Sequence, residues 1–179
     1  MRLTRFTCLL CCIYSILLSC EEQDVVFRIG STGPAGGVVF YDKGDLSYGW
    51  RYLEAAPADH AGRTIWQNTE TYIEGTSADI GTGASNTQRI VEVLGEGDYA
   101  AKFCADLVVG EYDDWFLPSR DELLELCLNK DVVFGFEYTY YWSSTEYNPD
   151  YAWAQCFHPE YENRSEKAYE HRVRAIRAF

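Results

Sequence analysis

The side chains of this 179-residue chain with chemistry to offer are seven cysteines, three histidines and an excess of carboxylates. Cys20 follows Leu17-Leu18-Ser19, apolar residues and then a small one, which is the pattern of a bacterial lipobox cysteine. Its thiol is expected to take a thioether-linked diacylglycerol and its freed amine an acyl chain, supplying the two or more buried chains that stable anchoring needs. Cys8, Cys11 and Cys12 precede it and leave with the signal. Cys104, Cys127 and Cys156 remain, an odd number with no CxxC spacing, so buried free thiols are expected in place of a disulfide framework or a zinc site. His158 and His171 have the chemistry to ligate a metal or to titrate near neutrality. No further ligands stand at recognisable spacing, so both are read as surface contacts, with no metal and no cofactor. No Ser-His-Asp order, Gly-rich phosphate loop or HExxH helix is present, and the chain is read as binding rather than catalysing.

The compartment follows from the first residues. Arg2 and Arg5 make a short positive start, and Phe6 to Leu18 is an almost unbroken apolar run, short for a bilayer and followed at once by polar residues. Residues 1–19 read as a signal peptide, 20–30 as the acylated cysteine with an acidic tether, and 31–179 as one folded domain. Taking Arg2 and Arg5 from the 15 basic residues leaves 13 against 28 acidic ones, a net charge of −15. That balance argues against nucleic acid or anionic lipid as a partner. With no second apolar run of spanning length, the acyl chains are the expected membrane contact. Glu21 and Glu22 do not present the Asp that retains some lipoproteins at the inner membrane, which favours outer-membrane, surface-exposed display.

These side chains need a frame. Turn chemistry at Gly30 to Gly37 opens the domain, and Val38–Tyr41 and Trp50–Leu53 are predicted strands, with Thr64-Ile65-Trp66 a third short one. Thr76 to Ser85 reads as a loop. Asn86 is the predicted cap of a helix carrying Ile90, Val91 and Leu94. A Gly95-Glu96-Gly97 break precedes a second helix with Ala100, Phe103, Cys104 and Leu107 on its apolar side. Ser119-Arg120-Asp121-Glu122 is a capping box ahead of Leu123, Leu124, Leu126 and Cys127. Tyr140–Ser144, Ala152–Phe157 and Arg172–Phe179 are predicted strands. The order of strands, helices and strands predicts an α+β domain whose first and last strands pair.

Asp114-Trp115-Phe116-Leu117-Pro118-Ser119 with Asp121-Glu122-Leu123 resembles the W-x-L-P-[ST]-x-x-E-L signature of the collagen-like-adhesin C-terminal domain family. The resemblance implies a C-type-lectin-like fold of the formylglycine-generating-enzyme type. Tyr141-Trp142-Ser143-Ser144-Thr145-Glu146-Tyr147, Ala152-Trp153 and the ending Arg172-Val173-Arg174-Ala175-Ile176-Arg177-Ala178-Phe179 are similar to the variable region of proteins diversified by retroelements, of the Treponema variable lipoprotein type. The enzymes of that fold need paired reactive cysteines that bind copper. Cys104 and Cys127 fall on apolar helix faces, and Cys156 lies where the resemblance implies variation, so an enzyme is not expected. Asn148-Pro149-Asp150 resembles the Glu/Gln-Pro-Asn/Asp triplet of calcium-dependent sugar-binding lectins. Asn148 is a methylene short and the partnering Trp-Asn-Asp is absent, so it is read as a turn.

The resemblance implies a variable region over about 141–179, with adenine-directed substitution that never yields Glu, Lys, Gln, Trp or Met. Among the residues compatible with it, those read as the ligand-binding set are Asp150, Tyr151, Ala154, Cys156, His158, Tyr161, Asn163, Arg164, Ser165, Ala168, Tyr169 and His171. Strand alternation places Ala152, Ala154, Cys156 and His158 on one face and Trp153, Gln155 and Phe157 on the other. Trp142, Trp153, Phe157 and Phe179 are therefore expected in the core, with the compatible residues exposed on one contiguous face. Tyr151, Tyr161 and Tyr169 are the expected anchors, because tyrosine offers a large rigid contact at low entropic cost. The implied function is a surface-displayed protein whose unknown protein or glycan ligand varies. The other reading is an undiversified adhesin recognising a fixed glycan or host matrix component.

Overall fold

The computed structural model describes residues 25–179; Cys20, the signal and most of the tether lie outside the described residues. The rest is α+β, as expected, built on two separate three-stranded antiparallel sheets.

The first sheet begins with β1 (Val38–Asp42) and β2 (Tyr52–Ala55), whose apolar and aromatic side chains suit a pleated, buried surface. A β-bulge falls between Val39 and Tyr41. Gly37 is dictated by close approach, since a Cβ there would lie 2.1 Å from the Ala55 carbonyl oxygen. The C-terminal segment closes this sheet. Its strand, numbered β6 (Ile176–Ala178) after the three strands of the second sheet, pairs with β2, giving the order β1-β2-β6. The expected pairing of first and last strands is thus corrected: both flank β2. The predicted strand from Arg172 shortens as well, because residues 171–175 are held by single bridges, Thr64 with His171 and Tyr141 with Arg172.

Four helices cross the middle. α1 (Gly83–Leu94) starts ahead of the predicted cap. Asn86 lies within its first turn, buried, its amide donating to the Ser77 carbonyl (2.7 Å) and Ser144 Oγ (3.1 Å) while its oxygen accepts from the Ser77 amide. A cap-forming side chain is here spent on fixing the preceding loop. The glycine break separates α1 from α2 (Ala100–Ala105) as predicted. α3 (Arg120–Leu128) carries the capping box in full: Ser119 Oγ accepts from the Glu122 amide, and the Glu122 carboxylate accepts from the Ser119 amide at 2.7 Å. The same carboxylate also accepts from the Gly81 amide at 2.8 Å, tying the α1 approach to the start of α3. α4 (Lys130–Val133), a single turn, follows.

The second sheet holds β3 (Tyr140–Glu146), β4 (Tyr151–Phe157) and β5 (Glu160–Glu166). β5 was not predicted. Its sequence, Glu-Tyr-Glu-Asn-Arg-Ser-Glu, has no apolar alternation because it is the sheet's edge, held by an unbroken seven-residue register with β4. One part of the core gathers Trp66, Ile73, Ile90, Tyr99 and Trp142. The other gathers Phe40, Leu53, Leu123, Leu126, Phe157 and Ile176. Cys104, Cys127 and Cys156 are all free and buried, as expected for Cys104 and Cys127 but not for Cys156, which was also assigned to the exposed face.

Three arginines of the C-terminal segment bind it to distant parts of the chain. Arg177 Nη1 donates to Glu54 (2.7 Å) while its other nitrogens form a fork on Asp114 (2.7 and 2.8 Å). Arg174 pairs with Asp59, and Arg172 with Glu137. Arg174 and Arg177 are buried. Buried guanidinium groups require such partners, because an isolated buried charge is costly.

Candidate functional site: the outer β-hairpin and its cleft

The β4–β5 hairpin carries most of the residues expected to bind. Opposed pairs are Ala152 with Ser165, Trp153 with Arg164, Ala154 with Asn163, and Cys156 with Tyr161. On β3, Tyr140 lies opposite Cys156 and Trp142 opposite Ala154. Opposed residues share a face, so Tyr140, Trp142, Ala154, Cys156, Tyr161, Asn163 and Ser165 stand together. To that extent the expected alternation holds.

Accessibility does not follow the expectation. Asp150, Tyr161, Asn163, Arg164, Ala168 and Tyr169 are exposed, and Tyr151 and His158 are half-buried. Ala154 (2 % exposed), Cys156 (4 %), Ser165 (8 %) and His171 (9 %) are buried, correcting their assignment to an open surface. The cause is a second layer. Residues 64–66 and 167–175 lie over this face, and the His171 ring packs 4.3 Å from Trp142 and 5.2 Å from Tyr140. His171 Nε2 is 2.7 Å from Ser165 Oγ. Burial pushes the His171 pKa down to about 4, with the Arg63 charge adding to the shift and a hydrogen bond to the Glu170 backbone opposing it.

Beyond that cover, the open end of the face is aromatic. The Tyr140 hydroxyl donates to that of Tyr161 at 2.5 Å, their rings meeting edge to face at 5.6 Å, and Tyr138 lies against His158 at 4.1 Å. Burial, followed by the Tyr161 bond, pushes the Tyr140 pKa up to about 12, so its hydroxyl stays a donor at neutral pH. Tyr138 is 81 % exposed.

The opposite face corrects a further expectation. Trp153 is half-buried, outside the core, as is Phe179, whereas Trp142 and Phe157 are fully buried. Trp153 stands 5.7 Å from Tyr147, edge to face, with the Arg120 guanidinium 4.6 Å and the Arg164 guanidinium 5.7 Å from its ring. Arg164 also lies 4.6 Å over Tyr147, and Arg120 forms an ion pair with Glu162 at 2.8 Å. Arg120, the first residue of α3, is the part of that helix that meets Trp153, which therefore stands among charged neighbours. Tyr138, Tyr147, Trp153 and Arg120 were missed as surface residues. The register that sets Arg164 against Trp153 was the missing signal, and it lay in the unpredicted β5.

A cleft of about 790 Å³ opens between residues 65–70, the 149–151 turn and residues 166–168. It contains Asp150, Tyr151 and Ala168 of the expected set, together with Gln67, Asn68, Thr69 and Glu70, which the sequence did not single out. The Asn148-Pro149-Asp150 turn borders it. Asn148 Oδ1 accepts from the amides of Asp150 (3.0 Å) and Tyr151 (2.8 Å), a turn-forming role as expected. Beneath the cleft Lys167 pairs with Glu146, whose carboxylate also accepts from the amides of Ile73 and Glu74.

Residues 55–177 match the family model of the Lcl C-terminal domain, and the chain belongs to that family. No curated protein matches. Among solved structures, a fimbrial protein from Bacteroides ovatus aligns with a TM-score of 0.55 at 13 % identity, over 80 % of this chain and 44 % of that one. The chain thus spans less than half the length of that fimbrial protein, and the likeness is one of fold. No described helix is long and apolar enough to cross a membrane.

Proposed function

We propose that this member of the Lcl C-terminal domain family is a surface-displayed, adhesin-like binding protein, held at the outer membrane by acylation of Cys20. It has a C-type-lectin-like fold, and its outer hairpin is varied by a retroelement to change ligand. Neither catalysis nor a cofactor is part of the reading. In its support, burial pushes the Cys104 thiol far above its ordinary pKa and raises Cys127 to about 11, keeping both from the thiolate form that reacts.

The observation that carries the proposal is the division of labour in the hairpin. β4 is packed into the core, whereas β5 and the residues after it expose Tyr161, Asn163, Arg164, Ala168 and Tyr169 on a strand held by backbone pairing. Side chains there are replaceable without disturbing what holds the strand. Tyr and Arg are also the residue types that dominate interfaces. The names of the family and of the fimbrial neighbour are in keeping with an adhesive role.

A second reading, an undiversified adhesin for a fixed glycan or matrix component, is favoured by the burial of Ala154, Cys156, Ser165 and His171 within the region proposed to vary. Two measurements separate them. An adenine-rich template repeat matching the codons for Tyr141 to Phe179, beside a reverse-transcriptase gene, supports diversification, and its absence from the genome overturns it. Adherence of cells displaying the Tyr161→Ala, Asn163→Ala, Tyr169→Ala triple variant to matrix proteins and glycan arrays tests the face itself. A binding profile unchanged from the parent overturns both readings of the hairpin.

A further inference from the structure

The cleft beside the hairpin has a definite chemistry. Its apolar walls come from Ile65, Pro149 and one side of Tyr151, and its volume is that of a small-ligand site. Three carboxylates line it, Glu70, Asp150 and Glu166, all exposed and none in an ion pair among the described residues. The one lysine of the lining, Lys167, is 3 % exposed; its ammonium is taken up by Glu146 and lies 4.7 Å from the Trp66 ring centre. Glu146 and Lys167 cancel, and the carboxylates act on the cleft uncompensated. Tyr151 stands beside one of them, its hydroxyl 3.5 Å from Glu166 Oε1. The Glu166 charge, before any other cause, raises its hydroxyl pKa, and Asp150 adds to the effect. The phenol therefore remains a neutral wall, able to donate to Glu166 or to present its ring face to a cation.

We propose that this cleft binds an alkylammonium group, presented by a lysine side chain of a protein partner. A lysine fits in both parts: its methylenes have the apolar walls, and its ammonium has the carboxylate rim. The same charge balance sets the cleft against sulfated or otherwise anionic glycans, since each would meet three carboxylates. The inference rests on the binding reading above and narrows its ligand class.

The test uses the full chain, purified in detergent, titrated with an end-blocked Gly-Gly-Lys-Gly-Gly peptide, its Nε-acetylated counterpart, and spermidine. The expected result is saturable binding of the lysine peptide, with acetylation abolishing it. Asp150→Asn and Glu166→Gln should each weaken binding about two- to fivefold, as for exposed pairs. Adding Glu70→Gln should bring the loss to at least about tenfold, and raising salt from about 0.05 to about 0.5 M should weaken the parent similarly. Spermidine binding without peptide binding keeps the ammonium chemistry and makes a free polyamine its source. Equal binding of the acetylated peptide, unchanged affinity in a folded triple carboxylate variant, or no saturable binding of either amine overturns the proposal. The Tyr161, Asn163, Tyr169 triple variant, run in parallel, separates the two readings. If it loses adherence yet still takes up the peptide, the face and the cleft are independent. If the parent takes up no amine but adherence still depends on those three residues, only the cleft proposal has failed.

Discussion

Ser165 and His171 were both assigned to an open surface, and they stand side by side in the interior, His171 Nε2 lying 2.7 Å from Ser165 Oγ with the imidazole against Trp142. The contact is local in space and separates two regions that the sequence had joined: the exposed edge of the hairpin and the strap that covers its inner face.

Acid sensitivity follows from it. The folded-state pKa of His171 is about 4, below the ordinary value near 6.5. Between those values the unfolded chain binds the proton and the folded chain does not. The contribution of neutral His171 is thus complete above about pH 6.5 and is lost as the pH falls toward 4. Loss of stability on the order of 2–3 kcal/mol is expected from this group across the window. Chemical denaturation at several pH values checks it, comparing the parent with His171→Gln. The stability difference between them should change in favour of the variant as the pH falls. A constant difference would show that His171 is not held neutral.

Trp153 and Trp142 should part company on truncation. Trp142 is fully buried, its indole N–H donating to the Thr64 carbonyl at 2.9 Å, so Trp142→Ala should cost about 3–5 kcal/mol. Trp153 stacks on Arg120 and Arg164 at the surface, and Trp153→Ala should cost only about 1–2 kcal/mol. Ser119→Ala loses the cap to Glu122 and a 3.0 Å bond to the Asp79 carbonyl, again about 1–2 kcal/mol. Urea midpoints rank the three, with Trp142→Ala expected to be the most harmful.

What the sequence made legible depended on whether the deciding interaction was local. The capping box at Ser119 and Glu122 was readable because both partners lie within four residues. The glycine break after α1 and the buried, free state of Cys104 and Cys127 were readable for similar reasons. Strand alternation sorted Ala152, Ala154 and Cys156 from Trp153 and Phe157 correctly, but alternation does not say which face is covered. The cover over Ala154 is the strap around His171, and what meets Trp153 is the charged Arg120 at the start of α3. Both are long-range facts. β5 was illegible for the converse reason: an edge strand with solvent on its outer side needs no apolar period. The cleft shares that origin, since residues 65–70 meet residues 149–151 and 166–168 only through the fold.

The Glu146–Lys167 pair offers a test of the floor beneath the cleft. Both side chains are almost wholly buried, at 2 % and 4 % exposure, and the carboxylate also accepts from the amides of Ile73 and Glu74. Lys167→Met alone leaves a buried carboxylate without its cation and should cost about 3–5 kcal/mol. The double variant Lys167→Met, Glu146→Gln removes both charges and should recover part of that loss. A double-mutant cycle in urea measures the coupling. Additive effects would mean that the two charges do not depend on each other.

The sharpest test of a varied hairpin contrasts positions on one face that differ only in cover. Asn163 and Ala154 are directly opposed across β4 and β5, yet Asn163 is exposed and Ala154 is 2 % exposed. Asn163→Ser and Tyr169→Ser should each change stability by no more than about 0.5 kcal/mol, as exposed substitutions usually do. Tyr161→Ser should change it by about 1 kcal/mol, because it also gives up the ring pair with Tyr140. Ala154→Tyr forces a large ring against Trp142 and the strap, and should cost at least about 1–3 kcal/mol through overpacking. Thermal or urea unfolding of the four variants provides the comparison. If natural diversification acts here, variants recovered from a population should vary freely at 161, 163, 164 and 169, and keep small residues at 154. Tolerance of Tyr at 154 equal to tolerance at 163 would mean that the strap yields, and the boundary between fixed scaffold and variable surface would then lie deeper than β5.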